Sequence, residues 1–215
     1  MLPIGDDNSQ RRLFPIVTYA LIALNVFVFL LELAGENAFI NSWSFVPARM
    51  ISNPTAGFIT LFTSMFLHAG WLHLGGNMLY LLIFGDNVED RFGHFKFLVF
   101  YILCGLAAGL AQYAVSMSSE NPTLGASGAI AGVLAAYLVL FPGRKVRVLL
   151  AAWIVNLPAL LVIGVWIVIQ LVSGLGTLSN ATTSGGVAYM AHIGGFAAGL
   201  VLTLFLRGKA REITF

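Results

Sequence analysis

Residues 13–33 form an apolar run of 21 residues, and a helix needs about 20 to cross the hydrocarbon core of a bilayer. Five more apolar runs follow, at roughly 71–84, 95–117, 124–141, 148–172 and 187–206. A water-soluble fold would have to cover all of this length with polar residues. Only 9% of the 215 residues are charged, where a soluble domain carries about 25%. The chain is therefore predicted to be an all-α polytopic membrane protein, a bundle of six transmembrane helices in a single domain. That domain is expected over 13–207, between short tails at 1–12 and 208–215. Arg11 and Arg12 precede the first run as they would in a secretory signal. The run exceeds the roughly 7–15 residues of a signal core, so it is read as a retained helix.

Two runs are irregular. The run at 71–84 is short for a span and is expected to continue as helix into 85–90 at the interface. The run at 148–172 contains Asn156 and Pro158, which predict a kink that neighbouring helices accommodate. Between the first two runs, residues 35–67 are mixed in character and include Trp43, Phe45, Phe58, Phe62 and Phe66. Such a segment is expected to lie in the headgroup region as an interfacial first loop. Cys104 is the single cysteine and sits in an apolar run, so it forms no intrachain disulfide and reads as a buried thiol.

Charge placement predicts orientation. With six spans, Arg11, Arg12, Arg91, Lys96, Arg144, Lys145, Arg147, Arg207, Lys209 and Arg211 fall on one side, and Arg49 on the other. The excess of basic residues places both termini in the cytoplasm. Helices two, four and six then begin at the outer face. His73 and Asn77 open the second helix, Ser127 opens the fourth, and His192 lies about one turn into the sixth. Polar groups in membrane helices face the bundle interior or a wet cavity. One cavity open to the outside accommodates all four.

Each of these residues has a bland reading beside a chemical one. Ser127 lies in Gly125-Ala126-Ser127-Gly128-Ala129-Ile130-Ala131-Gly132. A helix starting there would aim its free N–H groups at a developing oxyanion; equally, Gly128 and Gly132 make a small-residue packing face in which the serine is incidental. His192 lies in Ala191-His192-Ile193-Gly194-Gly195-Phe196-Ala197-Ala198-Gly199. An imidazole can accept a serine proton and return it to a leaving amine, or simply hold helices together by a hydrogen bond. Ser127 at the same depth favours the first reading. His73 and Asn77 are four apart and share a helix face, where Asn77 could donate to an oxyanion or to a neighbouring helix. His68 and His73 are five apart and diverge on a helix. With no His-Glu-x-x-His and no cysteine cluster, no zinc site and no cofactor is expected. Glu32 and Glu120 lie at the outer side but not beside these groups, so a Ser–His dyad is the simpler proposal. Asn180-Ala181-Thr182 matches a glycosylation sequon, a frequent chance match.

Together these residues resemble the rhomboid family. The likeness rests on Gly125-Ala126-Ser127-Gly128, on His73-x-x-x-Asn77 and on Ala191-His192-x-x-Gly195-x-x-x-Gly199. Gly85-Asp86-Asn87-Val88-Glu89-Asp90-Arg91-Phe92-Gly93, continuing to Phe97 and Tyr101, adds to it. The resemblance implies an intramembrane serine endopeptidase that cuts single-pass membrane proteins near the outer end of their transmembrane helix. It implies Ser127 as nucleophile, His192 as general base, and Asn77, His73 and the Ser127 backbone N–H as oxyanion donors. Helix five would lie where substrate enters, and the outer loop 173–186 would cap the site. The implied partners are transmembrane-helix substrates and the lipid bilayer, with no nucleic acid, and the implied location is a prokaryotic plasma membrane. Two departures stand out. Ala131 occupies a position where some members carry an aromatic residue beneath the histidine, and Trp43 and Arg49 are separated where some members carry a Trp-Arg pair. An inactive rhomboid-like protein that binds transmembrane helices is the alternative; such relatives usually lack the serine or the histidine, and this chain keeps both. A small transporter would need polar groups along a path through both faces.

Overall fold

The computed structural model describes residues 1–179 and 187–207. The Asn180-Ala181-Thr182 match, the outer loop beyond Ser179 as far as Gly186, and the tail 208–215 with Lys209 and Arg211 lie outside the described residues.

Helix α1 (Ile16–Trp43) contains most of the first run and continues to Trp43, with a break at Glu36 (φ 49°, ψ −145°). No side chain of its own caps its start. Instead the Val17 and Thr18 N–H groups and the Thr18 hydroxyl donate to the Glu89 carboxylate at 2.9, 2.7 and 2.7 Å. A carboxylate there satisfies orphan donors and suits the positive end of the helix dipole. Asp90 accepts from the Arg12 and Leu13 N–H groups at 2.8 and 2.6 Å, and Arg11 pairs with Asp86 at 2.5 Å. This acidic cluster ties the start of the first span to the end of the second.

The first loop is largely helical, with α2 (Pro47–Ser52), α3 (Pro54–Thr63) and a 3-10 turn at Ser64–Phe66. The second run forms α4 (Trp71–Tyr80), a π turn at Leu81–Gly85 and α5 (Asp86–Phe92), continuing past its apolar stretch as its sequence predicted. The segments Pro54–Phe66 and Trp71–Phe92 are bent by 78°. Helix α6 (His94–Val115) carries the third run, with Cys104 buried and unpaired.

Helix α7 (Ser127–Leu140) is enclosed by protein, with every residue from Gly128 to Tyr137 buried. Its 14 residues rise about 21 Å, short of the roughly 30 Å hydrocarbon core. Its N-terminal approach is held by protein partners, as irregular backbone at membrane depth requires. Phe45 and Thr123 exchange backbone hydrogen bonds at 3.1 and 2.7 Å, and the Gly125 N–H donates to the Ser64 carbonyl at 2.9 Å.

The fifth run differs from its prediction. In place of one kinked helix over 148–172, a hairpin of β2 (Lys145–Leu150) and β3 (Trp153–Pro158) precedes α8 (Ala159–Ser179). Val146 pairs with Leu157 and Val148 with Val155, while Lys145 and Arg147 stay exposed. That two-residue alternation of β-branched residues is a strand pattern. Pro158 lacks an N–H and disfavours helix at Leu157 before it. Hydropathy alone merged strand and helix into one run. The predicted N-terminal tail is also partly ordered: β1 (Leu2–Asp6) pairs antiparallel with β2. The fold is thus mostly helical, with a three-stranded sheet that a strictly all-α reading omits.

Helix α9 (Tyr189–Leu206) packs against α7. By length and apolarity α1, α6, α8 and α9 can each cross a membrane, and the bent pair would make a fifth span; α7 falls below that length. A polytopic helical membrane protein follows, with α7 at its centre.

Candidate active site

Four elements converge at the N-terminus of α7. Ser127 is its first residue, so the leading N–H groups have no intrahelical acceptor. Gly125 adopts φ +127°, a conformation open to glycine. Opposite, α9 lies against α7 backbone to backbone: a Cβ on Gly195 would strike the Gly128 carbonyl, and one on Gly199 the Gly132 backbone. This close approach carries His192 to Ser127. The His192 Nε2 stands 2.7 Å from Ser127 Oγ, and the imidazole is only 8% exposed.

The other imidazole nitrogen is engaged too. His192 Nδ1 lies 2.7 Å from Gln170 Oε1, and Gln170 is itself buried. An amide oxygen only accepts, so Nδ1 carries the proton and donates it. The Nε2 lone pair is left facing Ser127, whose hydroxyl donates to it. Trp166, one turn before Gln170 on α8, packs on the imidazole with centroids 5.5 Å apart at 39°. The aromatic support absent at Ala131 therefore comes from another helix. Neither Gln170 nor Trp166 was singled out from the sequence. The available signal was a polar amide inside an apolar helix, which marks an inward-facing group.

His73 sits on the other side of Gly125. Its Nδ1 accepts the Ala69 N–H at 3.3 Å, which leaves the proton on Nε2. A Cβ on Gly125 would lie 2.9 Å from His73 Nε2 and 3.6 Å from Ser127 Oγ, so the two groups flank the same bare position. Asn77, one turn further along α4, is buried, and its Nδ2 has no hydrogen-bond partner among the described residues. An unmet buried donor costs about 1–3 kcal/mol. A cavity of about 30 Å³ adjoins the serine, bounded by Phe45, Ala108, Gly109, Gly128 and Ala191. It has room for roughly one water. His68, although buried with its ring 5.1 Å from that of His73, is held through its backbone, whose N–H donates to Glu32 at 3.1 and 3.2 Å. Among the described residues no group of three metal-binding side chains occurs. The arrangement can take a proton from Ser127 and offer donors to an oxygen that gains charge.

Comparison with known proteins adds a second line of observation. The Rhomboid domain family model matches residues 55–209. Rhomboid protein 1, mitochondrial, of Saccharomyces cerevisiae is 28% identical over 202 residues, which cover 91% of this chain and 54% of that protein. Rhomboid protease GluP of Bacillus subtilis is 33% identical over 196 residues, covering 88% of this chain and 35% of that protein. A further Bacillus subtilis relative, YdcA, is 26% identical over 213 residues, or 97% of this chain and 98% of its own length. The chain thus spans about half of the first relative and about a third of the second.

Proposed function

The chain belongs to the rhomboid family, and from that premise we propose that it is an intramembrane serine endopeptidase working through a Ser127–His192 dyad. The observation that carries this reading is the 2.7 Å contact between Ser127 Oγ and His192 Nε2. A serine hydroxyl is a weak nucleophile until a neighbouring base removes its proton.

A single-pass substrate frays near the outer end of its transmembrane helix and presents a carbonyl freed from its helical hydrogen bond. Ser127 Oγ attacks that carbon while His192 Nε2 takes the hydroxyl proton. The carbonyl oxygen becomes an oxyanion facing the Ser127 N–H, the Asn77 amide and His73 Nε2–H. His192 then gives its proton to the amine as the peptide C–N bond breaks, leaving an acyl group on Ser127. A water, deprotonated by His192, hydrolyses that ester and restores the hydroxyl. The small cavity beside Ser127 suits a small side chain at the cut. Both termini lie in the cytoplasm and the site opens outward in the plasma membrane, the orientation that the basic residues favour.

The test is cleavage of a single-pass reporter by the full chain in liposomes. Ser127→Ala and His192→Ala are expected to lower kcat by about 10³-fold or more. Cleavage by Ser127→Ala at the wild-type rate would overturn the reading.

A further inference from the structure

We infer that Gln170 on α8 is a positioning residue for His192, and that α8 supplies the orientation that a third acidic member provides in other serine hydrolases. The inference rests on the dyad reading. Its basis is the pair of 2.7 Å contacts on the two nitrogens of one imidazole. Only one tautomer serves both chemistry and structure: Nδ1–H donating to Gln170 Oε1, Nε2 accepting from Ser127. Without an acceptor at Nδ1, the proton can move to Nε2, where it blocks the base. The ring can also turn about its own bonds.

Among the described residues, the side chains that hydrogen-bond the His192 ring are Ser127 and Gln170. From α7 it meets Ser127. From α6 the neighbouring wall of α9 meets Ala107, Ala108 and Ala111, which carry no polar side chain. His73 on α4 is the other titratable group at this end of the bundle, across the bare Gly125 position from Ser127. From α8 come Gln170 and Trp166, four apart and therefore on one helical face. That face is buried at Val162, Ile163 and Gln170, while Val165, Val168 and Ile169 on the remainder of α8 are exposed. One side of α8 is thus built against the base and the other against lipid. The ring is clamped in two ways at once, its plane by the indole and its proton by the amide. Seating of α8 therefore sets the base, and a loss of the Gln170 contact falls on the chemical step rather than on substrate binding.

The experiment compares the wild-type chain with Gln170→Met and Gln170→Glu in liposomes, reading kcat, KM, the pH–rate profile and thermal unfolding. Methionine keeps the length and volume of the side chain without the acceptor, so folding is retained. Gln170→Met is expected to lower kcat about tenfold or more with KM nearly unchanged. Gln170→Glu can only accept from Nδ1. It is expected to recover most of that loss and to displace the acidic limb of the pH–rate profile, because a new carboxyl beside the imidazole alters its titration. Wild-type kcat in Gln170→Met would overturn the inference, as would a loss confined to KM with an unaltered pH profile. Failure of the dyad reading looks different: Ser127→Ala would then cleave as fast as wild type, whatever residue 170 is.

Discussion

At the residue scale, the site is a set of groups whose usefulness depends on what they lack. Asn77 holds a buried amide with no hydrogen-bond partner among the described residues, a cost to the folded chain that a reacting oxygen would relieve. Asn77→Ala is therefore expected to lower kcat by about 10²–10³-fold while leaving thermal stability unchanged or raised. A kcat within twofold of wild type would remove Asn77 from the proposed oxyanion donors. Ser127, His73, Asn77 and His192 could be selected from sequence because each is a polar residue at one depth of an apolar helix. Gln170 satisfies the same description, but the sequence does not specify which way it faces. Its role depends on the rotation of α8 about its axis, and an apolar run with little amphipathic contrast does not specify that rotation.

At the scale of elements, the α7–α9 contact decides whether serine and histidine meet. Gly199 faces Gly132 backbone, which has no flexible side chain to yield. Gly199→Val is expected to destabilise the fold by about 1–3 kcal/mol and to lower activity by more than the loss of folded protein explains. Gly164 on α8, where an added Cβ meets nothing within 4 Å, provides the contrast. Gly164→Ala is expected to leave activity intact and to stabilise α8 by up to about 1 kcal/mol, as read from thermal unfolding. Equal effects of the two substitutions would contradict this account. The glycine spacing that permits close packing was plain in the sequence. The hairpin before α8 was not, because the alternation of Val146, Val148, Val155 and Leu157 sits beside equally apolar helix and hydropathy does not distinguish period two from period 3.6.

At the scale of the whole molecule, the N-terminal strand closes the end of the bundle remote from Ser127. Asp6 is buried there and accepts from the Tyr137 hydroxyl at 2.7 Å and from Asn87 at 2.9 Å. Burial raises its carboxyl pKa from 3.8 to about 6, against the opposing hydrogen bond from Tyr137; Asp86 adds to the rise and Arg144 reduces it. A carboxyl raised on folding contributes stability below its unfolded pKa and loses it as pH climbs through the folded value. Docking of β1 is thus expected to weaken between about pH 4 and pH 7, seen as faster amide exchange in residues 2–6 once intrinsic rates are corrected. Asp6→Asn should flatten that dependence, and a flat wild-type profile would sink the argument. From the sequence alone came the membrane class, the approximate places of the helices and the four polar candidates, since span length and local composition belong to the chain whatever it packs against. Tertiary structure decided which faces meet: that α8 reaches His192, that an N-terminal strand pairs with residues more than a hundred positions away, and that Glu89 caps α1. Such choices turn on helix rotation and long-range pairing, and their energies arise only when distant segments are already in contact.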